Sequence, residues 1–163
     1  MVRVATFVKI AGGLTLLAFR AAAHADTMFV ANAGNNTVQR FDGSGSGNGT
    51  VFASSGFREP IGLALDDGGN LYVSDFANNT IEKVNANGNE SLFATAGLSE
   101  PKGMAFDNSG NLYVANFGSS TIEKFNPNGH GTVFASTGLN GPYGIAFSPL
   151  TGDLYAANNN GTI

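Results

Sequence analysis

Four oxygen-bearing side chains, Asn32, Asp75, Asn116 and Asn158, recur at intervals of 43, 41 and 42 residues. A ring of acids and amides is one arrangement that holds Ca²⁺ through oxygen. The same residue types bond backbone inside tight turns, and their positions suit that role better. Asp66-Asp67-Gly68-Gly69-Asn70 and Asp107-Asn108-Ser109-Gly110-Asn111 resemble calcium loops in outline. Neither has the closing Glu, and both stand where a hairpin must turn. Calcium is therefore not supported, and no cofactor or metal is expected. The two histidines are His24 and His130, and His130 stands alone in Gly129-His130-Gly131. It lacks a second His for a metal pair and a partner to orient it as a base. With no cysteine in the chain, thiolate and disulfide chemistry drop out. No catalytic set is legible.

A second group of positions changes where its surroundings stay fixed. Between a recurring Pro and Gly stand Ile61, Lys102 and Tyr143. The companion slot after the second strand of each unit holds Ala33, Phe76, Phe117 and Asn159. A constant frame with varied side chains is how a scaffold presents a binding surface. Ile61, Phe76, Lys102, Phe117 and Tyr143 are the candidates to meet an unidentified protein or small-molecule ligand. Phe76 and Phe117 have an alternative role, covering the top of the core.

These positions are set by a repeat. Pro60, Pro101 and Pro142 are 41 residues apart, as are Phe52, Phe93 and Phe134. A period near forty marks a repeat array. Each unit holds four short apolar or β-branched runs, at 62–66, 70–75, 80–85 and 91–95 in the clearest one. Asp66-Asp67-Gly68-Gly69, Phe76-Ala77-Asn78-Asn79 and Ala86-Asn87-Gly88-Asn89 separate them. Gly and Asn supply the positive φ of hairpin turns, and no window has apolar residues at helical spacing. Four antiparallel strands per forty-odd residues make a β-propeller blade. The expected fold is all-β, with four-stranded blades at 58–99 and 100–140, a partial blade at 27–57 and a truncated one at 141–163. That is about three and a quarter repeats. The loops before the first strand and after the second share one face, which carries the varied positions.

The opening is different material. Arg3 and Lys9 precede about ten apolar residues ending at Phe19, and Ala23-His24-Ala25 has small residues at −3 and −1. This pattern reads as a secretory signal peptide over 1–25, too short to span a membrane, with a domain of 26–163 exported to the periplasm or the extracellular space. The whole chain of 163 residues has a formal charge of −4. Removing Arg3, Lys9 and Arg20 leaves five basic residues against twelve acidic ones, a charge of −7. Nucleic-acid binders gather Lys and Arg into a patch, so nucleic acid is not an expected partner. The Gly-rich run 42–49 has no Lys-Ser/Thr and opens no helix, which removes a phosphate-cradling role.

The wording Pro-x-Gly-x-Ala-x-Asp-x-x-Gly-Asn-Leu-Tyr-Val, followed by Thr-Ile-Glu-Lys, resembles the NHL repeat. It is also similar to streptogramin-lyase-like and gluconolactonase-like propellers, over nearly all of 27–163. NHL repeats often place Arg before the third strand, where this chain has Thr37, Thr80 and Thr121. That departure points away from the RNA-binding members. The resemblance implies a propeller but no single function. One expectation is a non-enzymatic binding scaffold, a fragment of a longer propeller that self-associates through open blade edges. The alternative is the N-terminal part of a secreted lyase-like or lactonase-like enzyme. Such lyases rely on a His and Glu arrangement that cannot be placed here, so the catalytic residues would lie on other blades.

Overall fold

Breaks at Gly, Asn and Asp every five or six residues leave room only for short strands. The computed structural model describes residues 8–10, 13–15, 17–20, 27–42 and 48–163, with sixteen strands and no helix among them. A short hairpin, β1 (Val8–Ile10) and β2 (Gly13–Thr15), comes first. The first blade is β3 (Leu17–Arg20), β4 (Thr27–Asn32), β5 (Thr37–Phe41) and β6 (Thr50–Ala53). The second is β7 (Pro60–Leu65), β8 (Leu71–Asp75), β9 (Thr80–Val84) and β10 (Glu90–Ala94). The third is β11 (Pro101–Phe106), β12 (Leu112–Asn116), β13 (Thr121–Phe125) and β14 (Gly131–Ala135). A two-stranded sheet of β15 (Pro142–Phe147) and β16 (Leu154–Asn158) follows. Within each sheet the strands pair antiparallel in chain order. These sheets make a partial β-propeller.

The first blade has one strand more than the sequence reading gives it. β3 pairs with β4 along Leu17↔Val30 to Arg20↔Thr27, taking the inner place that β7 and β11 hold in their blades. Without such a partner the inner edge of β4 would carry unpaired N–H and C=O groups. β3 lies inside the stretch read as a signal peptide; the cleavage point after Ala25 lies outside the described residues.

Each sheet is apolar on both faces, so the core forms between blades. Phe29, Val38, Leu63, Leu65 and Leu71 are buried together between the first and second. Tyr72, Ile81, Met104, Leu112 and Phe125 are buried between the second and third. Rings knit the seams: Tyr72 meets Phe93 at 4.9 Å and Phe106 of the next blade at 5.0 Å, both edge-on. Tyr113 repeats this with Phe134 and Phe147, each at 5.0 Å. Edge-on contact sets the positive rim of one ring against the negative face of another. Lys83 and Lys124 lie over these same tyrosines at 5.2 Å and ion-pair with Asp66 and Asp107.

The entrance to each blade is fastened to the blade before it. The Glu59 N–H donates to Asn36 Oδ1 at 2.9 Å, and the Glu100 N–H to Asn79 Oδ1 at 2.6 Å. The Gly141 N–H donates to Ser120 Oγ at 3.0 Å in the same way. Glu59, Glu100 and Gly141 all adopt positive φ, at 57°, 49° and 54°. Only the third position has the residue type for which that conformation is unstrained. Glu59→Gly should therefore raise stability by about 1 kcal/mol. Urea denaturation checks this, and a variant less stable than wild type would show that the Glu side chain contributes more than its backbone strain costs.

Candidate functional site

Pro-x-Gly is a β-bulge. Pro60 pairs with Asp75 and Leu63 with Val73, so Ile61 and Gly62 together oppose Ser74. The register shifts likewise between Pro101 and Met104, and between Pro142 and Gly144. A bulge bends its strand and re-aims a side chain, and here it acts on the varied residue of each unit. The first strand thus starts at the proline, two residues earlier than expected, because a leading Pro gives up no ladder bond.

The inner strands also come very close. The Gly62 N–H donates to Ser74 Oγ at 2.6 Å, and that hydroxyl donates to the Lys102 carbonyl of the next blade at 2.7 Å. A Cβ on Gly62 would collide with the Lys102 carbonyl oxygen. One buried hydroxyl therefore fixes the backbone from which the Lys102 side chain springs.

That side chain gathers four of the five candidate residues. Lys102 Nζ is 3.3 Å from the centre of the Phe117 ring, 4.0 Å from Tyr143 and 5.3 Å from Phe76. The Phe117 and Tyr143 rings stand 6.2 Å apart and nearly perpendicular. Phe76 and Phe117 are positioned by their own backbone, donating N–H to the carbonyls of Glu59 and Glu100 at 3.2 Å. Ile61 holds the corresponding position one blade earlier and is half-buried. The alternative role as core cover is met in part, since Phe76, Phe117 and Tyr143 are only half-buried.

Charge at this cluster is unusual. Lys102 is 7% exposed, and burial lowers its pKa from the usual 10.5, opposed by the nearby Glu100 carboxylate. The ring faces act with Glu100, because their negative quadrupole favours an ammonium within about 6 Å. Burial raises the Tyr143 hydroxyl, so that ring stays neutral. Among the described residues two other charged groups are buried: burial raises the Asp75 carboxyl at the end of β8, opposed by the hydrogen bonds it accepts from Arg58 and Asn78, and burial raises the Glu123 carboxyl on β13.

The recurrent acid and amides serve the frame. Asp75 accepts the Arg58 N–H at 2.9 and 3.0 Å and Asn78 Nδ2 at 2.8 Å. Asn116 accepts from the Ser99 N–H at 3.2 Å and donates to the Gly97 carbonyl at 2.8 Å. Asn158 accepts from the Asn140 N–H at 2.9 Å. They bond the loop that enters their blade as well as their own turn, a longer reach than local turn chemistry suggests. The Asp-rich loops are hairpin turns: Asp66 and Asp107 each accept the N–H and side-chain amide of the residue four positions on, at 2.8 Å. Among the described residues, no group of three or more His, Cys, Asp or Glu is placed to hold a metal ion. His130 is exposed in the β13–β14 turn.

Sequence reasoning missed Ser74. Its signal was a lone hydroxyl at a strand position where the other units have Ala31, Ala115 and Ala157.

Stacked four-stranded sheets with varied loops on one face define a β-propeller scaffold. Residues 57–83, the entrance and first three strands of the second blade, match the NHL repeat family. No curated protein sequence matches the chain. Among solved structures, streptogramin B lyase is similar with a TM-score of 0.72 at 15% identity, over 88% of this chain and 51% of that one. Virginiamycin B lyase from Staphylococcus aureus gives a TM-score of 0.67 at 12% identity, over 88% and 52%. A protein of unknown function from Bacteroides thetaiotaomicron gives 0.68 at 17%, over 90% and 52%. The chain spans about half the length of these structures. At such identities the likeness concerns the fold.

Proposed function

We propose that this chain is an exported, non-enzymatic binding scaffold, part of a longer propeller, that takes a small-molecule or protein ligand on the face carrying Lys102. The observation that carries this reading is the meeting of Lys102, Phe76, Phe117 and Tyr143. All four stand at positions that vary between units, in a frame held by invariant Pro, Gly and Asn/Asp. Aromatic side chains around one polar group are the usual lining of a ligand site. The test is saturation-transfer NMR with a set of neutral aromatic fragments, on wild type and on Phe117→Ala. Binding that weakens at least fivefold in the variant supports the reading; binding unchanged by Phe117→Ala overturns it.

A second reading is favoured by the likeness to the streptogramin B lyase structures: part of a lyase-like enzyme whose catalytic residues lie on other blades. Incubation of the full-length propeller with virginiamycin B, followed by mass spectrometry, separates the two: conversion favours the enzyme, and virginiamycin B recovered unchanged favours the scaffold.

A further inference from the structure

Lys102 is held by rings, and the nearby Glu100 carboxylate acts on it from a distance without forming an ion pair. The ion pairs among the described residues are Lys83 with Asp66 and Lys124 with Asp107, and neither reaches it. No oxygen among the described residues accepts from Nζ, though an ammonium has three N–H groups to give. Yet the described side-chain atom both sealed from solvent and unpartnered is Thr80 Oγ1, not Lys102 Nζ. The ammonium therefore keeps an opening to solvent at the centre of an otherwise apolar cluster. A charge so placed costs stability unless something completes its coordination.

We infer that the missing partner is a ligand carboxylate: this face takes a monoanionic carboxylate carried on an apolar or aromatic body. The carboxylate would accept from Lys102 Nζ through the opening, while the body packs against Phe117, Tyr143 and Phe76. The inference deepens the binding-scaffold reading and rests on it. One cation among three rings suits one negative charge. A phosphate dianion calls for an Arg fork or a nest of backbone N–H groups. Here the backbone N–H groups of Phe76, Phe117 and Gly118 are already given to carbonyls, and Glu100 together with a net charge of −4 would repel a second negative charge. Low local polarity strengthens a single ion pair relative to water. The rings also give the site a preference that a surface lysine lacks, because they pre-order the ammonium before any ligand arrives.

The probes are benzoate and its neutral isostere benzamide, titrated into the ¹⁵N-labelled chain as wild type, Lys102→Met and Phe117→Ala. Benzoate should shift the amides of Lys102, Gly103 and Phe117 and bind at least tenfold tighter than benzamide. Lys102→Met should weaken benzoate at least tenfold and benzamide, which loses only a neutral acceptor's bond, by a much smaller factor. Saturating benzoate should also raise the Lys102 titration midpoint, read from its ε-carbon. Phe117→Ala should weaken both probes. Equal affinity for the two probes, or benzoate binding that survives Lys102→Met, overturns the carboxylate inference while the binding surface stands. Failure of both probes and of the neutral fragments to touch this face overturns the inference and the scaffold reading together. Should Lys102→Met fold poorly, Lys102→Gln serves in its place, and the titration midpoint in wild type decides on its own.

Discussion

Gly62→Ala should be the most damaging small substitution in the chain, costing about 3–5 kcal/mol and lowering Tm by about 10 °C. The added methyl has no room: it would enter the Lys102 carbonyl oxygen and lie 2.6 Å from Ser74 Oγ. To relieve the clash the second and third blades must separate at their inner strands. That breaks the Gly62 N–H to Ser74 and Ser74 to Lys102 bonds, both buried. Buried donors and acceptors left unpaired add their desolvation cost to the strain. Ser74→Ala isolates the hydrogen-bond part and should cost about 1–3 kcal/mol. Gly103→Ala is the milder comparison, because its methyl would meet the Tyr143 carbonyl oxygen at 2.7 Å. The third blade has Ala115 where the second has Ser74, so no hydroxyl bridge is lost there. Thermal and urea denaturation of the three variants should rank Gly62→Ala worst. A Gly62→Ala protein within 1 kcal/mol of wild type would mean that the seams are looser than these distances require.

That ranking draws on features of unequal legibility. The blades were readable because the chain writes each unit more than once, and period, turn residues and β-branched runs agree. Phe76, Lys102, Phe117 and Tyr143 were readable as a group because they vary inside a constant frame. What brings them together was not readable. The bulge at Pro-x-Gly depends on two residues opposing one across a ladder, and nothing in Pro101-Lys102-Gly103 alone sets that count. Ser74 was hidden because its partners, Gly62 and the Lys102 carbonyl, are distant in sequence and one of them is backbone. Leu17–Arg20 falls in the stretch whose charge and apolar length read as a signal peptide, and its pairing with Thr27–Asn32 leaves no local mark in the sequence. Asp75 and Asn116 looked like turn residues, which they are; their hold on the entering loop is a contact across 17 residues.

The second large effect is expected at the face beyond the third blade, which should drive self-association. Phe52 and Phe93 are each covered by the following blade, whose β-turn packs a glycine, Gly88 or Gly129, against the phenylalanine carbonyl. Phe93 also meets Phe125 of that blade at 6.2 Å. Phe134 occupies the same place in the third blade and is 53% exposed. Tyr155 is 53% exposed where Tyr72 and Tyr113 are 4% and 5%. Each covered ring contributes roughly 2–3 kcal/mol, so leaving two open forgoes a sizeable part of the 5–15 kcal/mol typical of a domain. An exposed apolar patch with free strand edges beside it is a template for association. Light scattering on the 163-residue chain should therefore report species larger than a monomer at micromolar concentration, and Phe134→Ser with Tyr155→Ser should restore the monomer. Hydrogen exchange should be at least a hundredfold faster in Leu154–Asn158 than in Leu112–Asn116, since the latter strand is buried throughout. A monomer whose two strands are equally protected would show that the open face is stable without a partner, and the seam energies assigned here would be too large.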